Sequence, residues 1–356
     1  MDVSNERRIV ILGKTGAGKS SLANTIFGEE VFKVSHNSNS ETRKCEAKSK
    51  SVSGRSITLI DTPGFFDTDK TEEELKSEIV RCITECAPGP HAFLIVLKVE
   101  KFTKQEQEVI NTIQKDFSEE AFKYATVLFT HGDQLNGQKI EEFFSENRLI
   151  SDLVKKCGGR CHVIDNKYWN DNTTDEYRSN QFHVGELLKT IDKMVTENNG
   201  RCYTNEMLQK VEEKIQQEEE KIRLLPGNLS EEEIREKAKA SVFERLLIKL
   251  AGVGTGALLG ALFGAAGMAA IIIKALQSAP VLTSMPDFGF IGAAAIGGSA
   301  VVGAVMGGVE GYHAAEGAET PQKAAKRAAE AIKKKARSVH SKAKDMMSPA
   351  KKRCSP

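Results

Sequence analysis

The amino-acid sequence predicts a three-layer α/β fold, in which helices cover both faces of a parallel sheet. Short apolar runs alternate with amphipathic helical stretches over residues 7–195. A charged helical extension follows over residues 201–249, and two uncharged, glycine-rich segments come after it. Strands that alternate with helices favour parallel pairing through crossover connections. The uncharged segments add a Gly/Ala-rich hydrophobic hairpin to this fold.

Each predicted element has its own signal in the sequence. The expected strands are residues 9–12, 57–60, 92–97, 125–129 and 161–164, and the main expected helices are residues 72–86, 104–116 and 181–195. In the extension, residues 226–228 (Pro-Gly-Asn) interrupt the helical pattern. Ser230 and Glu233 then form the spacing of a capping box, which predicts that a new helix begins there.

Composition and charge narrow the possible classes of protein. The 356 residues carry 50 Lys and Arg against 49 Asp and Glu, so overall charge does not direct the chain to nucleic acid or to a membrane. Hydrophobic residues at 40% exclude a wholly disordered chain. Seven widely separated cysteines favour free thiols in a reducing compartment over a disulfide framework.

A phosphate-binding motif follows the first apolar run directly. It comprises Gly13, Lys14, Thr15, Gly16, Ala17, Gly18, Lys19 and Ser20, in the pattern G-x-x-x-x-G-K-[ST]. Its glycines let backbone N–H groups turn toward a phosphate, and the helix that starts at Ser20 and Ser21 favours an anion at its N-terminus. We expect Lys19 to contact the β- and γ-phosphates and Ser20 to ligate Mg²⁺.

A second motif, D-x-x-G, follows the second apolar run. Asp61 and Gly64 occupy its fixed positions. A P-loop fold needs a carboxylate near Mg²⁺ at a strand end and a glycine N–H near the γ-phosphate. We therefore expect Asp61 to support Mg²⁺ through water and Gly64 to contact the γ-phosphate.

The fourth and fifth apolar runs end in residues suited to binding a base. Thr130, His131, Gly132 and Asp133 match the N/T-K-x-D motif, with histidine where lysine is usual. A carboxylate at Asp133 can accept from guanine N1 and the exocyclic amine, whereas adenine offers no such pair of donors, so GTP is favoured over ATP. Asn166 falls where a further base-contacting loop is expected. All these motifs follow predicted strands, where open α/β sheets bind ligands.

Together these residues resemble the GTPases of immunity-associated proteins, the GIMAP family of AIG-type P-loop GTPases. The match covers roughly residues 7–200, and its most specific part is a box that starts at Arg81, continues through residues 88–96 and ends at Thr103. The resemblance implies that Thr42 is the switch threonine for Mg²⁺ and the γ-phosphate. It also implies nucleotide contacts from residues 131–133 and Asn166, although many members carry lysine at the position of Gly132.

The resemblance implies a function as well as a site. The family is similar to septins and chloroplast import receptor GTPases, so GTP or GDP, Mg²⁺ and self-association through the G domain are expected. Phe65 stands where Ras-type enzymes place a water-orienting glutamine, and we expect slow GTP hydrolysis with no catalytic residue assigned. Two alternatives stay open: a non-hydrolysing scaffold held by GTP, and a membrane-active glycine-zipper protein with a regulatory G domain.

The expected hairpin spans residues 250–309. Its uncharged segments, residues 250–273 and 288–309, each have about the length of a transmembrane helix. Gly252, Gly256, Gly260 and Gly264 recur every four residues, as in helices that pack closely within a bilayer. We expect a membrane-inserted hairpin on the cytoplasmic face of an intracellular membrane. A self-associating zipper that stays in the cytosol is the alternative.

The final predicted region is a basic tail over residues 312–356, with 12 Lys and Arg against four acidic residues. A thin apolar stripe on a lysine-rich helix suits anionic lipid headgroups. A solvated helix and RNA binding are the alternatives, and the lack of aromatic residues among the lysines argues against nucleic acid. The sequence thus predicts a G domain (7–200), an extension (201–249), a hairpin (250–309) and a tail (312–356).

Overall fold

The computed structural model describes residues 5–34, 44–65, 71–169 and 176–277. Within these ranges the chain forms six strands and eleven α-helices. The strands are β1 (Glu6–Leu12), β2 (Glu46–Val52), β3 (Arg55–Asp61), β4 (Ala92–Lys98), β5 (Ala125–Thr130) and β6 (Cys161–Val163). The helices are α1 (Lys19–Phe27), α2 (Glu72–Cys86), α3 (Lys104–Asp116), α4 (Glu119–Lys123), α5 (Ile140–Ser145), α6 (Arg148–Lys156), α7 (Asn180–Glu197), α8 (Glu206–Arg223), α9 (Glu231–Lys249), α10 (Thr255–Leu262) and α11 (Met268–Gln277).

One sheet with the order β2-β3-β1-β4-β5-β6 organises these elements. All neighbouring strands pair in parallel except β2, which is antiparallel to β3. The five predicted strands and the predicted α/β fold class are confirmed. The sequence did not reveal β2, because this edge strand (EAKSKSV) contains no apolar run and none of its side chains is fully buried.

The helix predictions are confirmed with similar accuracy. α2 and α3 begin and end at the predicted residues, and Thr71 and Thr103 form capping boxes at their N-termini. The extension breaks after α8 as expected. Ser230 N–H donates to Glu233 Oε2 (2.8 Å) and Glu233 N–H donates to Ser230 Oγ (3.2 Å), which is the predicted capping box of α9.

A buried apolar layer fixes α1 and α7 against the sheet. Ile9 and Ile11 of β1, Leu94 of β4, and Leu187 and Ile191 of α7 are all fully buried in one cluster. Burial of a Leu or Ile side chain contributes about 1.5–3 kcal/mol to folding. This packing holds the carboxyl ends of β1 and β4 side by side, where the predicted phosphate-binding loop begins.

The box that carries the family resemblance also has a packing role. A Cβ atom at Gly89 would overlap the carbonyl oxygen of Tyr203, so only glycine permits this close approach of two backbones. Tyr203 N–H donates to Pro90 O (2.9 Å), and Thr204 Oγ1 donates to Pro88 O (2.8 Å). The box therefore binds the segment that leads from α7 into the extension through close packing and hydrogen bonds.

The extension contacts α2 through an ion pair and a cation–π contact. Lys239 Nζ lies 2.9 Å from Glu85 Oε2, and both side chains are mostly buried. Arg235 of α9 bridges Glu212 and Glu219 of α8 at 2.9 Å each. The Arg81 guanidinium stacks 4.4 Å from the centre of the Phe243 ring. These contacts hold α9 against α2 and against α8.

The first uncharged segment corrects the expectation of one continuous helix over residues 250–273. Two short helices, α10 and α11, form there instead. Phe263, between them, is fully buried, and its ring stacks on Phe117 (centroids 4.3 Å) and meets Phe93 edge-on (5.7 Å). Ser118 N–H donates to Phe263 O (3.0 Å). Phe263 therefore packs near the amino ends of the central strands, and hydropathy alone could not distinguish this burial from burial in lipid.

No helix in the described part of the chain is both long enough and apolar enough to cross a bilayer. The second predicted segment (288–309) and the basic tail (312–356) lie outside the described residues. Among the described residues, 5–243 and 258–273 belong to one compact unit, and 244–257 and 274–277 belong to another.

Candidate nucleotide-binding site

The phosphate-binding loop connects β1 to α1, as predicted. Gly16 and Gly18 adopt positive φ angles of 78° and 82°, which side-chain-bearing residues rarely adopt. A Cβ atom at Gly13 would lie 2.5 Å from Val96 O of β4, so this glycine is needed for close approach to the sheet. The glycines therefore allow the loop to turn tightly between the strand and the helix.

Lys19 is buried inside this turn, although it begins α1. Its Nζ donates to the carbonyl oxygens of Gly13 (3.0 Å) and Lys14 (2.9 Å). Ala17 N–H also donates to Lys14 O (3.2 Å), which closes the loop on itself. The ammonium group is thus held in place within the loop, where a phosphate would meet it together with the N-terminus of α1. Ser21 continues the helix, and its carbonyl accepts from Thr25 Oγ1.

Ser20 and Asp61 meet beside the loop. Ser20 Oγ donates to Asp61 Oδ2 (2.5 Å), while the buried Asp61 Oδ1 has no hydrogen-bond partner in the described structure. Burial raises the pKa of the Asp61 carboxyl, although the Ser20 hydroxyl and the Lys19 charge oppose that rise. A buried carboxylate oxygen without a partner, next to a hydroxyl, is a donor set that fits Mg²⁺ and its water ligands.

Of the two remaining residues predicted to contact the γ-phosphate, Gly64 lies in the described D-x-x-G loop and Thr42 does not lie in the described part of the chain. Thr62 Oγ1 donates to Ile11 O (2.6 Å), which anchors the D-x-x-G loop to β1. Gly64 is buried in the same loop, next to the buried ring of Phe65.

A cleft of about 190 Å³ lies beside the loop, lined by Lys14, Thr15, Gly16 and Ala17 and by residues of β4 and α3. Lys14 Nζ forms an ion pair with Glu106 Oε1 of α3 (2.9 Å), and Glu106 also accepts from Thr103 N–H. Burial raises the pKa of Glu106, but its bonds to Thr103 and Lys14 outweigh burial and lower it. Glu106 is therefore charged at neutral pH. The sequence did not reveal this link between the loop and α3, because the partners are 92 residues apart.

The predicted base-binding loop lies next to the phosphate-binding loop. Thr130 Oγ1 donates to Ala17 O (2.8 Å), which joins the end of β5 to the P-loop. His131 has a φ of 60°, and its Nδ1 lies 3.0 Å from Thr130 Oγ1. A 3₁₀ turn, Gly132–Leu135, then carries the half-buried Asp133. Gln134 Nε2 donates to Asp133 Oδ2 (2.5 Å).

Asn166 reaches the same place from the loop after β6. Its Nδ2 donates to Gly18 O (3.3 Å), and its Oδ1 accepts from Thr25 Oγ1 (3.1 Å). The structure therefore brings the described predicted residues to one edge of the sheet. The described contacts of Asn166 are with the P-loop and α1.

Two residues of the base side were missed by the sequence analysis. Trp169 packs its indole ring over Gly132 so closely that a Cβ atom there would overlap it, which explains why lysine is absent at position 132. The ring also stacks on His183 (centroids 5.6 Å). Trp169 is the single tryptophan of the chain and follows the predicted loop by three residues, a signal that could have been noticed.

Asp165 is the second missed residue. Its carboxylate accepts hydrogen bonds from the N–H groups of Asp133 (3.3 Å), Lys167 (2.9 Å) and Tyr168 (2.5 Å). Burial raises the pKa of Asp165, but its contact with the Asp133 side chain and its bonds to the three backbone N–H groups outweigh burial and lower it. Burial, and then the neighbouring Asp165 carboxyl, raises the pKa of Asp133. The Asp133 carboxylate can therefore accept from a ligand that presents hydrogen-bond donors, while the oxygens of Asp165 bond to backbone N–H groups.

Comparison with known proteins finds a matching family model and several relatives. The model of the AIG1 family matches residues 7–222. Immune-associated nucleotide-binding protein 8 of Arabidopsis thaliana is 38% identical over 213 residues, which cover 58% of each chain. GTPase IMAP family member 8 of Homo sapiens is 31% identical over 201 residues, 56% of this chain and 29% of that protein. This chain thus spans less than two thirds of the length of either relative.

A search of solved structures finds Toc33 from Arabidopsis thaliana in complex with Mg²⁺ and GMPPNP. That structure is 19% identical, has a TM-score of 0.42 and covers 55% of this chain and 86% of its own. The family model, in contrast, matches more than half of this chain. The matched residues include the P-loop, Asp61, Asp133 and Asn166. The chain belongs to the AIG1 family.

Proposed function

We propose that this chain binds GTP and GDP together with Mg²⁺ through its G domain. The observation that carries the proposal is the meeting of three loops at one edge of the sheet. Lys19 lies within the phosphate-binding loop, Ser20 and Asp61 lie beside it, and Thr130 connects it to the turn that carries Asp133. A cation for phosphate, a donor set for a divalent metal and a carboxylate for guanine are thus adjacent.

Each group has a distinct chemical role in this proposal. Lys19 and the N-terminus of α1 bind the phosphates. Ser20 would hold Mg²⁺ directly and Asp61 through water, and the bound metal would neutralise charge on the β- and γ-phosphates. The carboxylate of Asp133 accepts from guanine N1–H and the 2-amino group, and Asn166 holds the last loop against Gly18.

Direct binding tests this function. Titration with GTP, GDP and ATP, each with Mg²⁺ and with EDTA, can be followed by calorimetry and by the fluorescence of Trp169. We expect GTP and GDP to bind and ATP not to compete. Lys19→Ala should abolish binding, while Lys189→Ala, an exposed lysine of α7, should leave it unchanged. Equal affinity for ATP and GTP would refute the guanine assignment.

We further propose that hydrolysis by the isolated chain is slow. The ring of Phe65, directly after the D-x-x-G loop, is 3% exposed and has no group that can orient a water molecule. Turnover measured at low and high protein concentration tests this. Slow turnover at low concentration is expected, and a rate near 1 s⁻¹, typical of a competent enzyme, would contradict it.

Nucleotide-dependent assembly through the G domain completes the proposal. Light scattering of the chain with GDP and with a non-hydrolysable GTP analogue should show a larger mass with the analogue alone.

The excess of basic residues over positions 312–356 supports contact with an anionic membrane on the cytoplasmic side. Sedimentation with anionic and neutral vesicles tests that contact, and equal binding to both would reject an electrostatic origin.

A further inference from the structure

The two carboxylate oxygens of Asp165 accept hydrogen bonds from two different loops. Oδ1 accepts from the N–H groups of Lys167 and Tyr168 within its own loop, at 2.9 and 2.5 Å. Oδ2 accepts from Asp133 N–H (3.3 Å) in the loop after β5. One side chain thus organises its own turn and reaches across to the residue proposed to bind guanine.

The position of Asp165 is itself fixed. The residue is 2% exposed. Its N–H donates to Asn180 Oδ1 (3.1 Å) at the start of α7, and its carbonyl accepts from Asn180 Nδ2. The neighbouring Ile164 O accepts from Gly132 N–H (3.0 Å). A rigid support on β6 and α7 therefore stands behind the backbone of the turn that carries Asp133.

We propose that Asp165 is a positioning residue that determines specificity for guanine. Its Oδ2 holds the backbone of Asp133 so that the Asp133 carboxylate meets both N1–H and the 2-amino group of the base. Two donors in fixed geometry require a fixed acceptor, and a small displacement of Asp133 weakens the bonds to both. The inference rests on the proposed binding of guanine nucleotides, and it assigns to Asp165 no contact with the nucleotide.

The substitution Asp165→Asn tests the roles of the two oxygens separately, because it keeps one oxygen and replaces the other with an NH₂ group. An amide can keep its oxygen toward Lys167 and Tyr168, but its NH₂ group then faces Asp133 N–H, donor against donor. The bond to Asp133 N–H is lost, and so is the contact between the carboxyl groups of Asp165 and Asp133. The affinities for GTP and ITP are the measured quantities, because inosine lacks the 2-amino group but keeps N1–H and the triphosphate. We expect the preference for GTP over ITP to fall about tenfold, while ITP loses less affinity because only its N1–H bond is weakened.

Controls distinguish positioning from a general structural role. Asp152→Asn makes the same chemical change at an exposed site of α6 and should leave the preference unchanged. In an Asp133→Asn background, adding Asp165→Asn should not alter the GTP-to-ITP ratio, because Asp165 acts through Asp133. Equal losses of GTP and ITP affinity in the single variant, or additive effects in the double variant, would overturn the proposal.

Folding is checked by thermal unfolding of each variant. If Asp165→Asn does not fold, Asp165→Ser serves instead, since its hydroxyl can still accept from its own loop but cannot reach Asp133. If neither variant folds, Asp165 is a folding residue and the proposal is overturned. A wild-type chain that prefers GTP over ATP, with an unchanged GTP-to-ITP ratio in the variant, would refute this inference alone. A wild-type chain without that preference would refute the proposed function.

Discussion

The two ends of the sheet each receive a glycine-rich segment, and the segments differ in what surrounds them. At the carboxyl end, Lys19, Ser20 and Asp61 meet at the P-loop, and a buried oxygen of Asp61 has no partner among the described residues. At the amino end, Phe263 packs against the rings of Phe117 and Phe93, and Gly264 lies beside the hydroxyl groups of Ser118 and Tyr203. Glycine permits close approach at both ends, so the neighbouring chemistry, not the glycine pattern, separates a ligand site from a packing site.

Among the glycine substitutions, Gly13→Ala should have the largest effect at the carboxyl end. The added Cβ would lie 2.5 Å from Val96 O, a backbone atom of β4, so the loop itself must move. We expect GTP affinity to fall on the order of 100-fold, because the phosphate-binding groups are displaced. The matched control is Gly185→Ala in α7, where an added Cβ has no neighbour within 4 Å. Calorimetry measures both, and unchanged affinity in Gly13→Ala would show that the loop tolerates the displacement.

A substitution at the amino end should lower the stability of the fold and leave nucleotide binding unchanged. Phe263→Ala removes a fully buried ring, and we expect the free energy of unfolding to fall by about 3–5 kcal/mol. Nucleotide affinity should change little, because the P-loop lies at the other end of the sheet. Leu224→Ala, which truncates a side chain that is 85% exposed, is the control. A drop in GTP affinity with unchanged stability would reverse this assignment of roles to the two ends.

The comparison also explains what the sequence could predict. The P-loop motif is contiguous, so Gly13 to Ser20 could be identified without any knowledge of distant contacts. Asp61, Asp133 and Asn166 could be placed because each follows an apolar strand, and parallel strands end at one edge. Asp165 and Trp169 were missed because their roles depend on Asp133 and Gly132, more than 30 residues away in the chain.

The amino end could not be predicted for a related reason. Hydropathy records that Phe263 avoids water but does not say whether lipid or protein covers it. The partners Phe93, Phe117 and Tyr203 lie 60 to 170 residues earlier in the chain. Four-residue glycine spacing suggested one helix face, yet Gly252 precedes α10 and Gly264 follows it. The glycine spacing and the hydropathy were identified correctly in the sequence. Their structural meaning depends on packing partners that are distant in the chain.

Gly264→Ala tests whether this glycine is a packing residue. Its φ is +82°, and an added Cβ would lie 2.7 Å from both Ser118 Oγ and Tyr203 Oη. We expect a loss of about 2–3 kcal/mol from strain and displaced neighbours. Urea unfolding gives the value. If the variant were as stable as the wild type, the described packing of residues 263 and 264 would be wrong.

Acid should weaken the amino end through His91, which precedes β4. His91 Nδ1 accepts from Arg8 N–H (2.9 Å), and burial, followed by the charges of Arg8 and Arg7, lowers the pKa of His91 from 6.5 to about 3. The unfolded chain therefore binds a proton that the folded chain excludes as pH falls below 6.5. We expect this residue to cost about 2 kcal/mol of stability between pH 8 and pH 5.

The variant His91→Asn keeps an acceptor for Arg8 N–H but has no titrating group. Unfolding in urea across this pH range should show a shallower loss of stability than in the wild type. Part of the slope should remain, because burial lowers the pKa of His162 to about 4. An unchanged slope in His91→Asn would assign the acid sensitivity to other groups.

The smallest expected effect, and the only favourable one, is that of Gly256→Ala. This exposed glycine lies in α10, and an added Cβ meets no atom within 4 Å. Alanine favours a helix over glycine by up to about 1 kcal/mol, so stability should rise slightly. The four-residue glycine pattern includes both Gly256 and Gly264, and a shared role in close helix packing would make both substitutions harmful. Opposite signs in urea unfolding would show that the pattern joins a replaceable helical glycine to one that the fold requires.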